Sequence, residues 1–126
     1  MDTIVNKRIL TINQHGDVIY AKEPIHFYEP KHSGLDCGLS FAHELLEQIP
    51  KKKSILIIPA AIGGSSINQW VNDSIVKDVP LLTNFKEMAA LGMKHGTIKA
   101  ILWHQGENDA RKKELIEIYD IELKDL

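Results

Sequence analysis

Cysteine is almost missing from this chain of 126 residues: Cys37 stands alone, which rules out an internal disulfide and a Cys-rich zinc site. No H-E-x-x-H or comparable spacing joins the scattered histidines, so no metal is expected. No cofactor is expected either, because Gly-Lys-Ser, Gly-Lys-Thr and the glycine spacing of a dinucleotide site are all absent. Charge of one sign is lacking too. Fifteen Lys and Arg against 17 Asp and Glu leave a formal net charge of −2, with no electrostatic footprint for nucleic acid or a membrane surface. The only basic run, Lys51-Lys52-Lys53, follows Pro50 and reads as a solvated turn. The longest apolar run, residues 55–62, is far shorter than the roughly 20 residues a bilayer demands. No basic leader precedes an apolar segment, so no signal peptide is expected, and a cytoplasmic location follows if Met1 is the true start. Nothing in the composition fixes an oligomeric state.

What is present is enough apolar sequence, 44%, for the core of one domain. Residues 8–12 and 18–21 read as two short strands joined around Gly16, which can take the positive φ of a hairpin turn. Residues 23–37 hold two prolines and a glycine without periodicity and read as a long loop. Leu39, Ala42, Leu45, Leu46 and Ile49 repeat at helical spacing, so a helix is predicted over 39–49, ended by Pro50. Residues 55–59 are continuously apolar, as buried parallel strands are. Ser66 and Gln69 match a capping box, which predicts a short helix carrying Trp70. A second amphipathic helix is expected over 81–94, and a second buried strand over 98–103. Asn108 or Asp109 could cap a last helix whose apolar stripe is Leu115, Ile116, Tyr119, Leu123 and Leu126. This alternation of helices and strands predicts an α/β fold with a parallel central sheet and an N-terminal hairpin. With a helical crossover between them, strands 55–59 and 98–103 would run parallel and bring their C-terminal tips to one rim.

That rim is where chemistry is expected. One tip ends in Gly63-Gly64-Ser65-Ser66, the other in His104-Gln105-Gly106-Glu107-Asn108-Asp109. Two successive glycines let the backbone turn sharply and present N–H groups, which suit an anion or a developing oxyanion as well as they suit a plain tight turn. Gln105 carries an NH2 that could serve the same oxyanion or satisfy loop backbone. Glu107 could orient a histidine, act as a base, or bind loop amides. Successive residues leaving a strand face opposite ways, so at most one of His104 and Gln105 should face the site. Ser65 and Ser66 are hydroxyl candidates, but Ser66 fits better as a helix cap and neither lies in G-x-S-x-G. Residue by residue, this gives oxyanion-type donors and a carboxylate without an activated nucleophile and its base.

Residues 58–70, IPAAIGGSSINQW, and residues 101–110, ILWHQGENDA, resemble the carbohydrate acetylesterases of the SGNH-hydrolase superfamily. The resemblance is closest to the sialate O-acetylesterase and acetylxylan esterase type, carbohydrate esterase family six and its relatives. Gly38-Leu39-Ser40-Phe41-Ala42 extends it. The resemblance implies a three-layer α/β/α, flavodoxin-like sandwich that removes acetyl groups from sugar hydroxyls through a serine acyl-enzyme. It implies an acetylated carbohydrate as partner. By position it makes Gly64, with Gly63 as the alternative, and Gln105 the oxyanion donors, and Glu107 the supporting acid. Ser65, His104, Asn108 and Asp109 would then line the substrate. Relatives of this kind are often exported.

The family's nucleophile lies in G-Q-S-N near the domain's start and its base in D-x-x-H near the end, and neither occurs here. The residues three before the six histidines are Ile12, Glu23, Glu29, Ser40, Gly92 and Ile101. Residues 1–126 are therefore expected to form the middle of such a domain, an incomplete sandwich inactive on its own. A strand of the missing part would belong between the two buried strands. The alternative is a non-catalytic remnant that binds acetylated sugar or has no activity.

Overall fold

The computed structural model describes residues 5–126, which form short strands and four α-helices. Their contacts separate the chain into two compact units: Met1–Ala61 with Met88–Lys99, and Ile62–Glu87 with Ala100–Leu126.

The first unit begins with the predicted hairpin. Strands β1 (Ile9–Ile12) and β2 (Val18–Tyr20) pair antiparallel, Leu10 opposite Tyr20. Asn13 Oδ1 accepts from the N–H groups of His15 and Asp17, 2.9 Å each, and Gly16 sits at φ +84°. The side chain thus mimics a turn carbonyl while glycine takes the left-handed position. Helix α1 (Cys37–Gln48) starts where Asp36 accepts from Gly38 N–H, and it ends just before Pro50, whose ring disfavours helical backbone at Ile49. Strand β3 (Ile55–Ile57) runs parallel to β1, Ile9 opposite Ile55, giving the order β2-β1-β3. Arg8 sets that register: its Nε donates to Lys53 O at 2.8 Å and its Nη2 to Pro50 O at 3.0 Å. Leu39, Ala42 and Leu46 of α1 close the core over Ile9, Ala21 and Ile25. Side chains of this size gain about 1.5–3 kcal/mol each on full burial, so this cluster is the main stabilising element of the unit.

In the second unit, helix α2 (Ile67–Val71) begins with the predicted capping box: Ser66 Oγ accepts from Gln69 N–H while Gln69 Oε1 accepts from Ser66 N–H. A two-stranded ribbon follows, β4 (Ile75–Val76) against β5 (Val79–Pro80), that the sequence did not announce. Its turn places Lys77 and Asp78 at φ +51° and +65°, a conformation usually signalled by Asn-Gly. Helix α3 (Leu81–Met93) matches its expected span and runs from the second unit into the first at Met88; Leu81 and Gly92 are buried. A 3₁₀ turn (Asp109–Arg111) leads into helix α4 (Lys113–Asp125).

Two expectations are corrected. Residues 98–103 form no strand, and Ile98, Ile101 and Leu102 are exposed, Ile101 by 63%. A strand exists only through a neighbour's backbone, and among the described residues this segment has none. Among the described residues the only parallel pair is therefore β1 with β3, and β3 is half-buried rather than fully buried. The last helix also begins later than expected. Lys112 is its N-cap without a side-chain bond, Asn108 makes no capping bond, and Asp109 opens the 3₁₀ turn instead. Of the expected stripe, Leu115 and Tyr119 are half-buried, whereas Ile116, Leu123 and Leu126 face solvent.

Candidate functional site

The two predicted blocks meet in the second unit, through side chains rather than strand tips. Gln105 Nε2 donates to Ser65 O at 2.9 Å and to an oxygen of the Asp109 carboxylate at 2.5 Å. Asp109 is 1% exposed, and its two oxygens also share the Ile67 N–H at 3.1 Å each. One buried carboxylate thereby holds both the first amide of α2 and the side chain of Gln105. Burial of a carboxylate is costly unless donors replace its water, and three contacts from two donor groups do so here.

Ser65 is buried and fully engaged. Its Oγ donates to Ile62 O at 2.9 Å and accepts from Trp70 Nε1 at 2.9 Å. Buried indoles need such a partner. The Trp70 ring meets Phe85 and Trp103 edge-on, with centroids 6.4 and 5.3 Å away. Trp103 Nε1 donates to Tyr119 Oη at 3.1 Å, and Tyr119 Oη donates to Gln105 O at 2.9 Å. Gln105 is thus fixed at both its backbone and its side chain. Ser66 Oγ is the α2 cap. These bonds leave neither serine positioned as an activated nucleophile.

Gly63 and Gly64 are exposed. Gly64 stands at φ +77°, where a Cβ would be strained even though the space around it is open. Lys77 Nζ donates to Gly63 O at 2.9 Å. In a trans peptide the next N–H points opposite the carbonyl, so this bond also sets the direction of the Gly64 N–H. Among the described residues that N–H has no acceptor.

His104 and Glu107 lie outside the buried network. They are 81% and 74% exposed in their side chains, with Nε2 and Oε1 3.5 Å apart. Asn108 is half-buried and starts the 3₁₀ turn. The described residues contain no group of His, Cys, Asp and Glu able to hold a metal ion. Sequence reasoning missed Trp70, Trp103 and Tyr119 as the frame of this site. The available signal was that two tryptophans and a tyrosine, all with polar tips, fall beside the two blocks.

Comparison with known proteins gives a consistent result. The family described as carbohydrate esterase, sialic acid-specific acetylesterase, matches residues 1–126. A probable carbohydrate esterase of Arabidopsis thaliana, At4g34215, is 30% identical over 105 residues, covering 81% of this chain and 37% of that protein. The X-ray structure of the Arabidopsis thaliana protein AT4G34215 superposes with a TM-score of 0.77 at 25% identity, over 98% of this chain and 54% of that one. The fold is accordingly an incomplete α/β fold of this type. The chain spans little more than a third of the length of the curated relative.

Proposed function

The chain belongs to the carbohydrate esterase family of sialic acid-specific acetylesterases, and on that premise we propose that it supplies the oxyanion half of a serine-type O-acetylesterase acting on acetylated sugars such as sialate or xylan. The observation that carries the proposal is the direct bond between the two blocks, Gln105 Nε2 to Ser65 O, one residue from the Gly64 N–H. Attack on an acetyl ester places negative charge on the carbonyl oxygen. Donors fixed beforehand at that position stabilise it by several kcal/mol, about 3–4 per donor where one has been removed. Gly64 N–H and one hydrogen of the Gln105 amide take this role. Gly63 is the alternative backbone donor, and Glu107 is the acidic residue of the same loop. Asn108, half-buried at the edge of the same loop, contacts the sugar in this reading.

Nucleophile and base come from outside these residues in this reading. The engaged hydroxyls of Ser65 and Ser66 support that division. Acetate release from p-nitrophenyl acetate and from an O-acetylated sugar tests it. The chain alone is expected to stay at the buffer rate. Joined to segments carrying G-Q-S-N upstream and D-x-x-H downstream, it is expected to turn over. No turnover in the joined protein would overturn the esterase reading. Turnover by the chain alone that Ser65→Ala abolishes would overturn the division of the site.

A further inference from the structure

The orientation of the Gln105 side chain is set by the groups that face its Nε2. Both atoms facing its Nε2 are acceptors, Ser65 O and the Asp109 carboxylate. A flipped amide would set Oε1 against both, oxygen against oxygen. In the observed orientation Oε1 is buried with no partner among the described residues, so nothing on its own side holds the amide in place. Of the two acceptors, the carboxylate is the stronger and the closer, 2.5 Å against 2.9 Å. Asp109 is itself immobile: it is 1% exposed and is fixed from the other side by the Ile67 N–H.

We propose that Asp109 is a positioning residue that keeps the donor end of the Gln105 amide turned toward Ser65 and the Gly64 loop, while pinning the start of α2 that follows that loop. It touches no substrate, since its carboxylate is sealed from solvent. The proposal rests on the oxyanion reading above and adds a mechanism to it. When an oxyanion arrives, Gln105 gives up the weaker bond, to the neutral Ser65 carbonyl, and keeps the bond to Asp109. The amide therefore stays donor-forward at the moment charge develops, and only the bond to Ser65 O is exchanged. An isosteric Asp109→Asn would undo this. It removes the carboxylate's charge, and its own NH2 would face the Ile67 N–H in one orientation and the Gln105 NH2 in the other.

Solution NMR on the full chain tests the assignment. In the unaltered chain, scalar couplings across the hydrogen bonds are expected from Gln105 Nε2 and from Ile67 N to the Asp109 side-chain carbon. Their absence would overturn the proposal without any variant having to fold. In Asp109→Asn, the Gln105 side-chain NH2 resonances are expected to shift and to exchange with solvent at least tenfold faster. Unchanged Gln105 resonances in that variant would equally overturn it. Titration with acetate separates this result from the underlying reading. Acetate is expected to move the Gly64 N–H and Gln105 NH2 resonances of the unaltered chain, and the Gln105 response is expected to be lost in Asp109→Asn. If acetate moves neither resonance while the couplings are present, the oxyanion reading fails and the orienting role of Asp109 is upheld.

Discussion

Each unit contains a helix whose start is held by an aspartate, and the two differ in reach. Asp36 binds Gly38 N–H two residues ahead of it, opening α1. Asp109 binds Ile67 N–H from 42 residues away, opening α2. The first aspartate is half-buried and shares its carboxylate with the His26 ring, Oδ2 to Nε2 at 3.0 Å. The second is sealed and shares its carboxylate with Gln105. A local cap stabilises one helix. A distant one ties two segments of the chain together, so its removal is felt in both.

Removing each in turn sharpens the contrast. Asp109→Ala is expected to have the largest effect, because it strands the Ile67 N–H and the Gln105 NH2 in a buried setting. Each unsatisfied group costs about 1–3 kcal/mol, so a loss of roughly 3 kcal/mol is expected. Amide hydrogen exchange, read residue by residue, should show protection lost through α2 and unchanged in α1. Loss in both units alike would mean that the aspartate is not a local tie.

Asp36→Ala is expected to cost about 1 kcal/mol, the usual worth of an N-cap, with protection falling in the first turn of α1 only. This site also carries a pH signature. Burial works against the Asp36 charge, but the His26 ring and the Gly38 N–H outweigh it and hold its carboxyl below the ordinary value of 3.8. A carboxyl lowered in the folded state binds its proton less readily there than in the unfolded chain. Its stabilisation is present above pH 3.8 and is lost as pH falls below that value. Neighbouring Glu23 goes the other way. Burial raises its carboxyl above 4.5, with the Asp36 charge adding to the effect, so its contribution is present below pH 4.5 and is lost as pH rises through the folded value. Asp36→Asn should therefore differ from the unaltered chain by a constant amount near neutral pH and converge on it below about pH 3.8, measured by urea unfolding across pH. A difference that persists into acid would place the effect elsewhere than in the carboxylate.

The smallest effect belongs to the exposed pair, His104 with Glu107. Ion pairs in open solvent contribute about 0–1 kcal/mol, and His104→Ala is expected to fall below 0.5 kcal/mol in the same urea measurement. A larger loss would show that this pair holds its loop in the way that Asp36 and His26 hold α1.

Much of this was legible in the sequence because it is local. The hairpin around Gly16, α1 up to Pro50, the Ser66 and Gln69 capping box and α3 all rest on residues within one or two turns of each other. The two glycine- and glutamine-bearing blocks were also visible, and so was the family they belong to. Residues 98–103 looked like a strand for an equally local reason, their apolar run. A strand needs a partner that its own sequence cannot supply, and none pairs with it among the described residues.

Tertiary structure decided the rest. It placed Asp109 behind Gln105 instead of at the head of α4, and it engaged the Ser65 hydroxyl between Ile62 and Trp70. Asp109 is fully buried, and a buried carboxylate takes whatever donors the packing brings to it, however far away they lie in the chain. The sequence by itself determined which residues are able to donate or accept, and the folded chain decided which of those groups are already committed to one another.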